Sequence, residues 1–156
     1  MNKYTKNSLI IVLLSYCILL RYPQVNHPLG VDSFFNLIQG NLLLERGHIP
    51  WFVSILSAFG FYPLSQEIAI PISLATTSLF TGFNMDLTSL FISIFFGIIG
   101  TFSMFILAKE VTDKFTVSFF ASLVYTSSSA FLGFTSWNIS SRGPFVALMP
   151  IFLYVI

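Results

Sequence analysis

Residues 87–108 read LTSLFISIFFGIIGTFSMFILA, twenty-two residues without one charge. Wound as a helix at about 1.5 Å per residue they reach about 33 Å, enough to cross a hydrocarbon layer about 30 Å thick. The charged hexapeptide KEVTDK (109–114) follows, and then FTVSFFASLVYTSSSAFLGFTSW (115–137), again uncharged. A span, a tight charged turn and a second span make a transmembrane hairpin. Small residues recur every fourth position on both arms, Ser89, Ser93, Gly97 and Thr101 on the first and Ser118, Ser122, Thr126 and Ala130 on the second. That spacing lets helix backbones approach closely where lipid removes any hydrophobic drive to associate. Chance alignment of common small residues is the alternative.

Composition extends the reading to the whole chain of 156 residues, of which 55% are hydrophobic and 8% charged. A soluble domain carries about 25% charged residues, so too little charge is present to clothe a water-facing surface. The predicted class is all-α, a polytopic transmembrane protein forming a single membrane domain over 1–156. A net charge of +1 excludes nucleic-acid binding, since no basic face is available for a row of phosphates. The single cysteine, Cys17, excludes an intrachain disulfide and a thiolate metal site, and reads as an apolar helix residue.

Outward from the hairpin, a third span is expected over 144–156, opened by Pro144 after the polar loop 138–143. The last apolar run ends at Ile156, and the chain is expected to be the front portion of a longer one. At the other end, residues 7–22 form a short first span that Tyr4, Lys6, Arg21 and Tyr22 lengthen by reaching to the two interfaces. A cleaved signal peptide is the rival reading, having the same basic start and short apolar run. Residues 32–46 predict an outer interfacial helix, with Asp32 as N-cap, Gly47 as left-handed stop, and Phe34, Leu37, Ile38 and Leu42 on one face away from Ser33, Asn36 and Gln39. The aromatic loop 50–63 suits the headgroup level. Residues 68–83, with Pro71 near the start and Gly82 near the end, are either a short span or a re-entrant segment.

Basic residues in short loops favour the cytoplasm. Lys3 and Lys6 put the N-terminus inside a cell membrane, and Lys109 and Lys114 want the hairpin turn inside too. Both hold only if 68–83 does not cross. Asp32, Glu45, His48, Glu67, Asp86, Asn138 and Arg142 then gather on the outer face.

The order of features resembles the N-terminal part of the GT-C superfamily of membrane glycosyltransferases. The closest likeness is to the prokaryotic pyruvoyl-tetrahydropterin-synthase-related membrane family, whose members often begin with stretches like His27-Pro28-Leu29-Gly30-Val31-Asp32 and Gly47-His48-Ile49-Pro50-Trp51. The resemblance implies a sugar transferred on the outer face from a polyprenyl-phosphate-linked donor. Asp32 is the implied catalytic residue, as a base for the acceptor or a metal ligand, and the implied partners are the bilayer and the lipid-linked donor. A carboxylate at the lipid–water boundary is partly desolvated, which raises its proton affinity and suits it to general-base work. Glu45, His48 and Arg142 are candidates for substrate binding. His48, Arg142 or a divalent metal, Mg or Mn, could stabilise the departing phosphate.

One departure matters: many relatives carry a second acid before a proline in the next outer loop, and Thr135 to Pro144 contains none. Glu45, Glu67 or Asp86 would have to substitute, or the function is not catalytic. Each candidate also has a plainer role: helix capping for Asp32, a solvated pair at a helix end for Glu45 and Arg46, a cap for His48, an anchor for Arg142. Asn138-Ile139-Ser140 fits a glycosylation acceptor, a pattern frequent by chance. The alternative function is a non-catalytic membrane subunit that docks a partner through the Ser118 to Ala130 stripe. Transport is disfavoured because no ionisable residue falls inside a span.

Overall fold

The computed structural model describes residues 2–49, 59 and 69–156. The aromatic loop expected over 50–63 and Glu67 lie outside the described residues, Phe59 apart. Among the described residues the chain is helical with no strand: α1 (Lys3–Arg21), α2 (Val31–Arg46), α3 (Ala69–Thr81), α4 (Met85–Thr112), α5 (Phe115–Ser127), α6 (Ser129–Thr135) and α7 (Arg142–Val155). The helices α1 and α4 are long and apolar enough to cross a membrane, and α5 with α6 adds a third if the bent pair is one span.

Burial runs opposite to that of a water-soluble bundle. Ser89, Ser118, Ser122 and Thr126 are fully buried, whereas Phe91, Phe95, Phe120, Val124, Phe145 and Phe152 point outward. In water this arrangement forfeits the transfer of large apolar groups out of solvent; in lipid it costs nothing, and small hydroxyls inside let the backbones close up. Most of these hydroxyls donate to the carbonyl one turn back, as in Thr101 to Gly97, Ser118 to Lys114, Ser122 to Ser118 and Thr135 to Phe131. That keeps their hydrogen satisfied without water. The hairpin of α4 and α5 forms as its small-residue stripes predict, and the groove between the stripes is filled by the end of α1. Ala130 leaves the stripe and is exposed.

Among the described residues a cluster of buried apolar side chains forms at one end. Leu37 of α2, Ile70, Leu74 and Ala75 of α3, Met85 and Ile92 of α4, and Ile139 pack together there. Gly40 makes that approach possible, since a Cβ would lie 2.9 Å from the Met85 methyl. At the opposite end, Lys6 Nζ stands 5.8 Å from the Phe115 ring centroid. The N-terminus and the 109–114 turn therefore share one end of the molecule.

Two expectations are corrected, and the inward face of α2 is decided. Asp32 is not the N-cap: Gly30 holds that position at φ 84, and Asp32 sits exposed in the first turn, where its charge favours the helix dipole by about 0.3–1 kcal/mol. The sequence set two faces on α2 without assigning either to the interior. Ser33, Asn36, Leu37, Gln39 and Gly40 are buried, and Phe34 and Ile38 are exposed, because polar side chains find their partners inside. Finally, 115–137 is not one straight span. It breaks at Ser128, which is extended (φ −65, ψ 138), and the two pieces meet at a 60° bend. Three consecutive serines explain the break: serine side chains compete with the helix for backbone groups. Ser128 Oγ donates to Tyr125 O and accepts from Phe131 N, starting a new helix.

The α4–α5 turn closes with Asp113 in the left-handed conformation (φ 50), its carbonyl accepting from Lys109 Nζ at 2.7 Å and its carboxylate paired with the same ammonium. That pairing holds the Asp113 carboxyl below its ordinary value of 3.8. The small stabilisation it gives is therefore present above 3.8 and is lost as pH falls through the lower folded-state value. Carboxyl-resolved NMR titration should find Asp113 below 3.8, and Lys109→Met should return it toward 3.8. An ordinary titration in the wild type would contradict the pairing.

Candidate functional site

The interior of the bundle is organised around one cation. Arg21, the last residue of α1, is 1% exposed. Its position follows from Gly97 on α4, where a Cβ would lie 2.1 Å from Arg21 Nε; no other residue leaves room. Nε donates to Thr135 Oγ1 at 3.0 Å, and Nη1 faces Cys17 O at 3.0 Å and Thr126 Oγ1 at 3.1 Å. Thr126 Oγ1 pairs onward with Thr101 Oγ1 at 3.0 Å. The guanidinium carbon is 4.8 Å from the Phe131 ring centroid, a cation–π contact, and Phe131 stacks on Tyr125. Nη2 has no partner. The only ion pair among the described residues is Lys109–Asp113, so no carboxylate answers this charge.

The break at Ser128 is what allows this arrangement. In an unbroken helix Thr126 and Thr135 would stand about 13.5 Å apart along the axis, too far to share one guanidinium. The bend folds α6 back, so that Thr135 and the Phe131 ring close over Arg21. The sequence places Arg21 at an interface with its side chain reaching outward; the structure keeps it at the end of α1 but turns the side chain into the bundle. Gly97 and the threonines at 101 and 126 were the available signal, a gap with hydroxyls around it.

Beside this centre, α2 holds the loop between α6 and α7. Ser33 Oγ accepts from Ile139 N at 2.8 Å and lies 3.2 Å from Asn138 Oδ1, and Asn36 Nδ2 donates to Ile139 O at 3.0 Å. Leu29 N donates to Trp137 O at 2.9 Å. Trp137 takes φ 54, a left-handed conformation that costs about 1–2 kcal/mol for a residue with a Cβ. In that conformation its indole Nε1 donates to Ser89 Oγ at 2.8 Å. Asn138 Nδ2 is committed to Gly133 O at 2.8 Å, which ties down the amide of the glycosylation pattern. Trp137→Phe should lower stability by about 1 kcal/mol, the net worth of one hydrogen bond, measurable by thermal unfolding in detergent. No change would mean the indole contact is idle.

The four residues nominated from the sequence do not converge. Asp32 and Arg142 are exposed and flank the same loop, Asp32 preceding the Ser33 anchor and Arg142 opening α7 with its guanidinium 5.8 Å from the Phe134 ring centroid. Glu45 and His48 lie at the far end of α2, about 20 Å along the axis from Asp32. His48 Nδ1 sits 3.1 Å from Arg46 O, and both side chains are exposed. A cavity of about 280 Å³ separates the end of α1 from the 136–137 segment, with Arg21, Gln24, Leu29, Ser136 and Trp137 in its wall. Among the described residues no group of three or more His, Cys, Asp or Glu could hold a metal. Among the described residues Asp32 has no second carboxylate or histidine grouped with it, and the nominated residues do not make a divalent-metal site.

The partner-docking stripe is likewise corrected: Ser118, Ser122 and Thr126 are used up inside the chain. Fold and site together define a helical membrane-type bundle with a buried arginine at its heart. The chain matches no protein-family model, no curated protein and no solved structure.

Proposed function

We propose that this chain is the N-terminal membrane portion of a GT-C-like glycosyltransferase, taking a sugar from a polyprenyl-phosphate-linked donor. One observation carries the reading: an exposed carboxylate, Asp32, begins a helix that clamps the loop leading to Arg142, next to a cavity lined by a buried arginine. The carboxylate can take the proton of an acceptor hydroxyl as its oxygen attacks the anomeric carbon, and the carbon–oxygen bond to the carrier phosphate breaks. The departing phosphate gains a cation in Arg142. Lys3, Lys6, Lys109 and Lys114 at one end favour the cytoplasm, which sets α2 on the outer side of a cell membrane. Asp32 is open to solvent, so its desolvation has to come from the lipid boundary and the bound substrates.

The test is Asp32→Asn in the full-length protein, with transfer from a polyprenyl-phosphate sugar and membrane insertion both measured. Loss of transfer with normal insertion supports the reading, and retained transfer ends it. The second reading, a non-catalytic subunit, is favoured by the loop from Thr135 to Pro144, which brings no second acid. It expects no effect of Asp32→Asn on any activity of its partner.

A further inference from the structure

We propose that α7 is a hinge at Pro150, latched by the hydroxyl of Tyr125. The inference is independent of sugar transfer, since it concerns how α7 is held rather than what binds near Asp32.

Pro150 lies inside α7. Proline has no N–H, so the carbonyl four residues back, Val146 O, loses its helical donor, and the ring crowds that same carbonyl. Away from water an unpaired carbonyl is costly. Tyr125 OH donates to Val146 O at 2.6 Å. The replacement donor therefore comes from a second helix, α5, and serves the turn of α7 whose own ladder is broken. Its aim is preset. The Tyr125 ring stacks on Phe131 with centroids 4.6 Å apart, and Phe131 is fully buried.

The two halves of α7 are held unequally. Before Pro150 the helix is pinned at two glycines: a Cβ at Gly100 would lie 3.0 Å from Ala147 Cα, and one at Gly143 would lie 2.7 Å from Phe134 O. Gly143, Ala147 and Pro150 are the buried residues of α7, whereas Phe152, Leu153, Tyr154 and Val155 are exposed. The Tyr125 bond thus stands where the pinned half meets the half without a buried anchor. Helices bend sharply at proline rather than along their length. Breaking the bond lets the far half change its angle to α4 and α5 while the near half stays packed.

The test measures amide hydrogen exchange of the full chain in detergent, read by mass spectrometry over residues 151–155. Tyr125→Phe keeps the ring and its stack on Phe131 and removes only the donor. It should speed exchange there about fivefold, the scale of one lost hydrogen bond. Pro150→Ala restores the N–H and gives Val146 O a donor from its own helix. In that background Tyr125→Phe should change exchange by less than about twofold, the coupling expected of two groups that serve one carbonyl. Tyr16→Phe is the control, because its hydroxyl lies 3.2 Å from Ser127 Oγ and takes no part in α7. It should leave exchange over 151–155 unchanged. Unchanged exchange in Tyr125→Phe overturns the latch, as does a rise of the same size with and without Pro150. An equal rise in Tyr16→Phe would mean general loosening of the bundle and overturns it too.

Discussion

Gly97→Val should unfold the centre of the bundle, lowering stability by about 3–5 kcal/mol. The added Cβ would fall 2.1 Å from Arg21 Nε and 2.4 Å from Cδ. A flexible surface side chain would swing aside, but this one is walled in by Thr135, Thr126, Cys17 and the Phe131 ring. Overpacking a core costs about 1–3 kcal/mol, and stripping a buried charge of its partners costs more. Gly133→Ala is the internal control: nothing lies within 4 Å of its Cβ position, so it should be neutral or stabilise α6 by about 0.5–1 kcal/mol. Unfolding by heat or denaturing detergent measures both. Adding Arg21→Ala to Gly97→Val should recover part of the loss, because the two positions contact each other directly. A Gly97→Val protein as stable as Gly133→Ala would show that Arg21 does not occupy this place.

The second large effect concerns chemistry. On the transfer reading, Asp32→Asn should lower the turnover of the full-length enzyme by about 10²–10⁴-fold, the range for removal of a positioned general base. Asparagine keeps the shape and the helix-start position while removing the proton acceptor, so folding should change by no more than the dipole contribution of about 0.3–1 kcal/mol. Glu45→Gln and His48→Ala offer a geometric contrast. Their distance of about 20 Å from Asp32 along α2 excludes them from a site only a few ångströms across, so each should leave turnover within about twofold, below 0.5 kcal/mol by the usual conversion. If instead Glu45→Gln matched Asp32→Asn, the reacting centre would have to lie at the other end of the helix.

The helix positions were legible to within a few residues, because runs of apolar sequence between charged or proline-bearing breaks leave few alternatives. α2 was expected over 32–46 and spans Val31–Arg46; the uncharged run 87–108 became Met85–Thr112, extended by a cap at Asn84 and by Lys109 and Glu110, which a helix accepts readily. The shared end of the N-terminus and the basic turn followed from lysine placement, and the contact of Lys6 with Phe115 agrees. The inward face of α2 was not legible. Its period is the same whichever side is buried, and the side chosen depends on whether the neighbours are lipid or the hydroxyl-lined loop at Ile139.

Local chemistry along the chain determined the elements of this protein: uncharged runs long enough to be helices, small residues every fourth position that pack closely, and basic residues gathered at one end. Tertiary structure alone decided where the charge of Arg21 goes. No pattern within α1 separates an arginine reaching for an interface from one drawn into a bundle. The outcome rests on a missing side chain at Gly97, seventy-six positions away, and on the bend at Ser128 that brings Thr135 within 3.0 Å. Burying a cation is a many-body balance of desolvation against acceptors supplied by three separate helices, and none of those helices carries the answer by itself.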